Sequence, residues 1–260
     1  MSRVSGRSSR RSLWTVDTRD PLERECATSP CRRSVVSRRR SCASTQRGVL
    51  STLRHVANET RRNDAMRLAV VNTKGGVGKT TTSVYLASAA TSCGYTVTIA
   101  DADPQGSATA WSDLAGHAGE THWSAESVNL HQLRKMREID DEYDMVIIDC
   151  PPSNPEIINA AIRAADAVII PSQPTMIDMD RVWSTLDSMG DIPAAVLLTA
   201  ARLGTKLLEE AKEALSHAGV AYFDNVIPLR EDIRASFGTV PTKLHGYDDV
   251  LTEILEAANA

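Results

Sequence analysis

The chain has 260 residues, of which 42% are hydrophobic, and its formal net charge is −4. This length and composition allow one sizeable α/β core, and no apolar stretch approaches the roughly 18–20 residues of a membrane helix. The five cysteines lack the spacing of a metal site, and their odd number fits a reducing compartment better than a disulfide framework. We therefore expect a cytoplasmic globular protein without membrane attachment.

The charge is divided sharply along the chain. Residues 1–65 contain 15 arginines, no lysine and six acidic residues, a net charge of +9. Residues 66–260 contain 14 basic and 27 acidic residues, a net charge of −13. The first segment is rich in Arg and Ser and has no sustained apolar periodicity, so it should form no core of its own. We predict an extension over residues 1–65 and a globular domain over residues 66–260.

Three explanations of the extension remain open. Met66 stands directly before the first predicted strand, and the exclusive use of Arg suits translated upstream sequence, so we expect the natural protein to start at Met66. Alternatively, the extension is a basic arm that holds DNA through salt-sensitive phosphate contacts. A targeting peptide could have a similar composition, although the six acidic residues argue against it.

The globular domain opens with a strand, a glycine-rich loop and a helix. Residues 68–71 form an apolar run that predicts a buried strand, and helical spacing begins after the loop. This order is what a phosphate-binding loop requires, since glycines turn backbone N–H groups onto phosphate oxygens at a helix N-terminus. Lys79 would reach the β- and γ-phosphates, and the Thr80 hydroxyl would bind Mg²⁺. The predicted nucleotide-binding residues of the loop are Gly75, Gly76, Val77, Gly78, Lys79, Thr80 and Thr81.

The loop departs from the usual pattern of GxxxxGK followed by Ser or Thr. Its first position is Thr73, and a second lysine, Lys74, precedes the glycine pair. This resembles the deviant Walker A motif of the ParA/MinD family of P-loop ATPases. The resemblance implies that Lys74 crosses a dimer interface and contacts the phosphates bound by the partner subunit.

Two further motifs are similar to those of the same family. Residues 101–106 read Asp-Ala-Asp-Pro-Gln-Gly after an apolar strand, and residues 145–149 form a second strand that ends in a carboxylate. The resemblance implies that Asp103 orients the attacking water and that Asp149 holds Mg²⁺, directly or through water. Asp101 is the less certain member, since an Asp that ends a strand is often only a helix cap.

The remaining elements alternate between strand and helix. Alternation of this kind predicts an α/β, P-loop NTPase-like fold with a mostly parallel twisted sheet and helices on both faces. The predicted strands are 67–72, 96–100, 145–149, 167–171, 194–199 and 221–227. The predicted helices are 79–93, 127–139, 154–165, 175–189, 205–218 and 247–258.

The C-terminal part supplies candidate base and DNA contacts. Residues 225–230 resemble the family segment that packs on adenine, which implies contacts from Pro228 and Leu229. Arg230 and Arg234 stand where related proteins carry DNA-contacting arginines, and their spacing of four would place them on one helix face. The alternative is an ordinary solvated helix in which Arg230 pairs with Glu231 or Asp232.

The resemblance implies a cytoplasmic, nucleoid-associated ATPase that hydrolyses ATP with Mg²⁺ and forms a homodimer when ATP is bound. A short ParA-type protein of this kind would segregate plasmid or chromosomal DNA, with nonspecific DNA as its track and a ParB-like centromere-binding partner. The same ATPase could instead position a protein cargo. A MinD-like membrane role is disfavoured because residues 247–260 contain no Lys or Arg to face anionic lipid.

Overall fold

The computed structural model describes residues 65–118, 121–138, 142–187 and 189–258. Its centre is a six-stranded sheet in the order β3-β2-β4-β1-β5-β6, and every strand pair is parallel. The predicted α/β, P-loop NTPase-like fold is confirmed. The strands are β1 (Met66–Val70), β2 (Val97–Asp101), β3 (Trp123–Ser127), β4 (Met145–Asp149), β5 (Ala167–Ser172) and β6 (Ala194–Leu198). The interpretations of residues 1–64 concern a segment outside the described residues.

Helices cover both faces of the sheet. The helices are α1 (Lys79–Ser92), α2 (Ser107–Ala118), α3 (Leu130–Lys135), α4 (Pro155–Ala164), α5 (Met176–Leu186), α6 (Lys206–His217), α7 (Glu231–Arg234) and α8 (Tyr247–Ala258). A 3₁₀ turn, Met136–Glu138, extends α3. No helix in these parts of the chain is both long and apolar enough to cross a membrane.

The alternation of side chains along β1 separates two apolar cores. Leu68 and Val70 pack with α1, α2 and α8 on one face, whereas Ala69 and Val71 pack with α3 to α6 on the other. Successive side chains of a strand point to opposite faces, so an apolar run buried on both sides is the expected pattern for a central parallel strand. The run that identified the first strand therefore also places it inside the sheet.

Two observed elements were not predicted, and two predicted elements need correction. The sequence prediction missed α2 and the edge strand β3, in which Trp123 is buried but the polar residues up to Ser127 are partly or fully exposed. The predicted helix over 127–139 begins only at Leu130, because Asn129 caps it and closes a capping box with Gln132. In place of the predicted strand over 221–227 there are two isolated bridges, one between Val196 and Tyr222 and one between Ala201 and Pro228, the residue directly after the predicted strand.

The register of the sheet gathers the motifs at one edge. Asp149 at the end of β4 is paired with Val70 of β1 on one side and with Asp101 of β2 on the other. Parallel strands end at the same edge, so the loop after β1 and the two carboxylates come together there. This is where open α/β sheets bind their ligands.

Candidate nucleotide-binding site

The loop between β1 and α1 has the backbone shape of a phosphate cradle. Gly76 and Gly78 have φ values of 76° and 91°, a left-handed conformation that side chains disfavour. No atom lies within 4 Å of a Cβ built on Gly75, Gly76 or Gly78, so the space over the loop is open. Gly78 is the N-cap of α1 and offers no side-chain acceptor to the first N–H groups of the helix. These donors, together with the partial positive charge of a 14-residue helix, suit an anion.

Lys79 folds back over the cradle. Its ammonium donates to the carbonyl oxygen of Lys74 at 2.9 Å, and the residue is buried. Burial lowers the pKa of Lys79, and the negative charges of Asp149 and Asp103 partly restore it. The lysine is therefore aimed across the loop, with two carboxylates near enough to affect its charge.

Polar side chains outside the motif hold the cradle in place, and sequence reasoning did not identify them. Asn72 donates from Nδ2 to the carbonyl oxygen of Pro171 at 2.8 Å and accepts the backbone N–H of Lys74 at 2.8 Å. Thr199 donates its hydroxyl to the carbonyl oxygen of Val77 at 2.8 Å. Pro171 and Thr199 lie far from the loop in sequence, so only Asn72, the first residue after the apolar run, carried a local signal.

The Thr80 hydroxyl donates to Asp149 Oδ2 at 2.7 Å, and the Ser83 hydroxyl donates to Asp149 Oδ1 at 3.1 Å. Burial raises the pKa of Asp149 to about 7, against the opposing effects of these two hydrogen bonds and of the Lys79 charge. A nearby cation would stabilise the ionised carboxylate. Hydroxyl and carboxylate oxygens are the ligands that Mg²⁺ prefers, so these residues fit a magnesium ion that arrives with phosphates.

Asp101 shapes the loop that carries Asp103. Its fully buried carboxylate accepts the backbone N–H of Asp103 at 3.2 Å, and the backbone N–H and hydroxyl of Thr109 at 2.9 and 3.0 Å. Asp103 itself accepts the N–H of Gln105 at 2.9 Å and stays partly exposed. Asp101 thus joins β2 to the start of α2, while Asp103 is left accessible to a reactant.

Lys74 is paired with a carboxylate outside the cradle in the single chain. Its ammonium forms an ion pair with Asp178, in the first turn of α5. The role predicted for Lys74 across a dimer interface involves a second chain and stays a prediction.

A cleft beside the cradle contains the other predicted contacts. It has a volume of about 150 Å³, below the roughly 300–1,000 Å³ of typical small-molecule sites, and it opens to solvent. It runs from the loop to the segment after β6. Its lining includes Gly76, Gly78, Thr81, Pro228, Leu229, Arg230, Arg234 and Tyr247. Pro228 and Leu229 therefore lie beside the cradle, as an adenine-binding segment requires.

The two arginines predicted to contact DNA line the same cleft. Arg230 is the N-cap of the four-residue helix α7 and Arg234 is its last residue, so the two lie at opposite ends of one short helix. Arg234 pairs with Glu231 at 3.7 Å, and both side chains are largely exposed, so solvent screens this pair. Both arginines remain available to an anionic ligand at the rim of the cleft.

A parallel sheet with a glycine cradle, a buried lysine and a Thr–Asp pair at its carboxyl edge defines the class of P-loop nucleotide-binding proteins. The family model of the CobQ/CobB/MinD/ParA nucleotide binding domain matches residues 68–239. The chain belongs to this family.

Similar proteins support the assignment. The carboxysome distribution protein A of Gloeobacter kilaueensis is 37% identical over 168 residues, which cover 62% of this chain and 75% of the relative. The chromosome partitioning protein ParA of Caulobacter vibrioides is 30% identical over 224 residues, which cover 66% and 84%. A plasmid partition protein of Borrelia burgdorferi, solved with AMPPNP, superposes with a TM-score of 0.61 at 18% identity, covering 75% of this chain and 98% of that one. This last likeness concerns the fold alone.

Proposed function

We propose that the chain is a Mg²⁺-dependent ATPase that hydrolyses ATP to ADP and phosphate. The observation that carries the proposal is the hydrogen bond from Thr80 to Asp149 beneath an open glycine cradle, with Lys79 turned over the same loop. Thr80 and Asp149 would hold Mg²⁺, which neutralises phosphate charge when bound. The complex of the Borrelia partition protein with AMPPNP is consistent with a nucleotide in this fold.

The chain's own groups would act mainly by position and charge. Lys79 and the N–H groups at the start of α1 would bind the phosphates and stabilise charge that develops on the γ-phosphate. Asp103, held at the mouth of the site by the loop that Asp101 organises, would orient the attacking water. Pro228 and Leu229 would pack on adenine at the far end of the cleft.

ATP-dependent dimerisation is the second part of the proposal. Lys74 lies in the cradle loop with its ammonium paired to Asp178, and a second lysine of this kind can contact phosphates bound by a partner subunit. Two chains would then meet with ATP between them, and hydrolysis would release them. ATP binding would thus act as a switch between monomer and dimer.

We further propose that the dimer segregates plasmid or chromosomal DNA, associated with the nucleoid and stimulated by a ParB-like centromere-binding partner. The Caulobacter relative is named a chromosome partitioning protein, which supports this use. Arg230 and Arg234 are the candidate DNA contacts because they are cationic and exposed on an otherwise acidic domain.

A protein cargo is the second candidate. The relative with 37% identity is named for the distribution of carboxysomes, which are not DNA. A MinD-like membrane role has less support, since α8 carries acidic residues such as Asp248 and Asp249 and no Lys or Arg.

Binding of DNA by the full chain distinguishes the proposal of DNA segregation from that of a protein cargo. Affinity for nonspecific duplex DNA would be measured with Mg²⁺ and either ATP or ADP, across a salt series. We expect binding that requires ATP and weakens steeply with salt, as phosphate contacts do. If a preparation that hydrolyses ATP shows no ATP-dependent DNA binding, the proposal that DNA is the track is contradicted. The protein cargo is then favoured.

A further inference from the structure

The ion pair of Lys74 involves a carboxylate that is unusually well fixed. Lys74 donates to Asp178 Oδ1, and the Asp178 side chain is 2% exposed, against 39% for Lys74. The other oxygen, Oδ2, accepts the hydroxyl of Thr175. Thr175 Oγ1 in turn accepts the backbone N–H of Asp178 at 3.2 Å, which caps α5. Asp178 is therefore held in position, while the lysine is the more exposed member of the pair.

The backbone of Lys74 is fixed independently of this pair. Its N–H donates to Asn72 Oδ1 at 2.8 Å, and its carbonyl oxygen accepts the ammonium of Lys79 at 2.9 Å. Release of Asp178 therefore requires only rotation of the Lys74 side chain. Within the described part of the chain, Lys74 is the one cation paired with Asp178.

Residues beside the pair are exposed in the single chain, as expected of a surface that a partner covers only in the dimer. Met176 and Ile177, directly before Asp178, are 74% and 75% exposed. Large apolar side chains that are exposed side by side often mark an interaction surface. Gln173, at the end of β5, donates to the carbonyl oxygen of Gly76 at 3.3 Å, so this surface adjoins the cradle.

We propose that Asp178 restrains Lys74 within its own chain and thereby opposes dimerisation. The inference rests on the proposed function, in which Lys74 contacts the phosphates of the partner subunit. Lys74 must leave Asp178 before it can do so, and the carboxylate then stays buried without its cation, which is unfavourable. Only a ligand with enough negative charge, such as the γ-phosphate of ATP, compensates for this loss. Asp178 is thus a positioning residue that sets how strongly dimerisation depends on ATP.

The size of the effect follows from the number of contacts. A contact that exists only in the monomer shifts the equilibrium toward the monomer by its own free energy. Two such ion pairs are broken when one dimer forms, so the free energy of the pair contributes twice to the dimer dissociation constant. Because Lys74 is partly exposed, we expect Asp178→Asn to tighten the dimer by about tenfold in the presence of ATP.

The first measurement tests the contact without any dimer. The full chain, free of nucleotide, would be acylated with an amine-reactive reagent, and the rate at Lys74 would be followed by mass spectrometry. We expect Asp178→Asn to raise this rate several-fold, since a paired ammonium is less available. Asp180→Asn is the matched control, because Asp180 is an exposed acid in the same helical turn. Equal rates in all three proteins would overturn the proposal.

The second measurement tests the consequence. Dimer dissociation constants would be obtained by sedimentation with Mg²⁺ and a non-hydrolysable ATP analogue. We expect a tighter dimer for Asp178→Asn, no change for Asp180→Asn, and no difference between Lys74→Ala and the Lys74→Ala/Asp178→Asn double variant. Unchanged or weaker dimers with Asp178→Asn, or a gain that persists without Lys74, would overturn the inference.

Two controls separate the possible failures. Thermal unfolding checks that Asp178→Asn folds, and Asp178→Ser, which keeps a hydroxyl near Thr175, replaces it if it does not. A wild-type chain that never dimerises with the ATP analogue contradicts the proposed function and this inference together. That outcome is recognised from the wild-type sample alone, whereas the failures described above occur in a wild type that does dimerise.

Discussion

The Thr80 hydroxyl and the Asp149 carboxylate, 69 residues apart in sequence, meet at 2.7 Å. The contact joins the first turn of α1 to the end of β4, and register alone explains it, since Asp149 is paired with Val70 at the end of β1. The loop after β1 then needs only to close a glycine turn for Thr80 to reach the carboxylate. The site is in this sense a consequence of the sheet.

The Thr80 hydroxyl gives the first prediction. Thr80→Ala removes the hydroxyl that would bind Mg²⁺, and we expect hydrolysis of ATP to fall by about 100-fold or more. Thr80→Ser keeps the hydroxyl and should retain most of the activity. Phosphate release, followed over a Mg²⁺ titration, measures both. An alanine variant with the activity and Mg²⁺ dependence of the wild type would contradict the assigned role.

Asp149 gives a pH dependence. Its pKa in the folded, metal-free protein is raised from 3.8 to about 7 by burial, so folding disfavours the charged form. The stability associated with the protonated group is present below pH 3.8 and is lost as pH rises to about 7. We therefore expect Asp149→Asn, in EDTA, to gain thermal stability relative to the wild type as pH rises from 5 to 7.

The same unfolding series contains its own check. The wild-type carboxylate becomes almost fully ionised only about one pH unit or more above its pKa of about 7, and from there the difference between the two proteins should become constant. A difference that does not change between pH 5 and pH 8 would mean that Asp149 titrates normally. Addition of Mg²⁺ and ATP should make the wild type more stable than Asp149→Asn at pH 8, because the ion stabilises the ionised wild-type carboxylate.

Asp103 should be required for hydrolysis and not for binding. Asp103→Asn keeps an acceptor for the N–H of Gln105 and removes the charge that would orient water. We expect kcat to fall by at least about 100-fold with little change in the Kd for ATP. Asp113→Asn, which changes an exposed acid on α2, is the control. Loss of ATP binding in the Asp103 variant would instead indicate a structural role for its loop.

Arg234 should contribute to DNA affinity. Arg234→Ala is expected to weaken ATP-dependent DNA binding and to reduce the salt slope by about one, as loss of one phosphate contact does. Arg163→Ala is the control, because Arg163 lies in the last turn of α4, which leads into the start of β5 at the opposite edge of the sheet. The Kd for ATP must be measured in parallel, since Arg234 also lines the nucleotide cleft. If Arg234→Ala changes the affinity for ATP and leaves DNA binding unchanged, Arg234 does not contact DNA.

Part of the fold was predictable because its signals are local. The apolar run of β1, the glycines and the start of α1 are contiguous, and the strands that precede Asp101 and Asp149 are short apolar runs. Backbone preference and burial act over such segments directly. The edge strand β3 was missed for the converse reason. It buries Trp123 but few other side chains, so its sequence resembles a polar loop.

The sequence by itself determined the chemistry of the cradle, since its lysine, hydroxyl and glycines lie within eight residues. Tertiary structure alone decided what surrounds them. The Lys74–Asp178 pair spans 104 residues, and the Asn72–Pro171 and Thr199–Val77 hydrogen bonds span 99 and 122. Contacts of this length depend on how the sheet orders its strands and brings β5 and β6 beside the loop. No periodicity within one segment records that order, because it results from packing helices on both faces of the sheet.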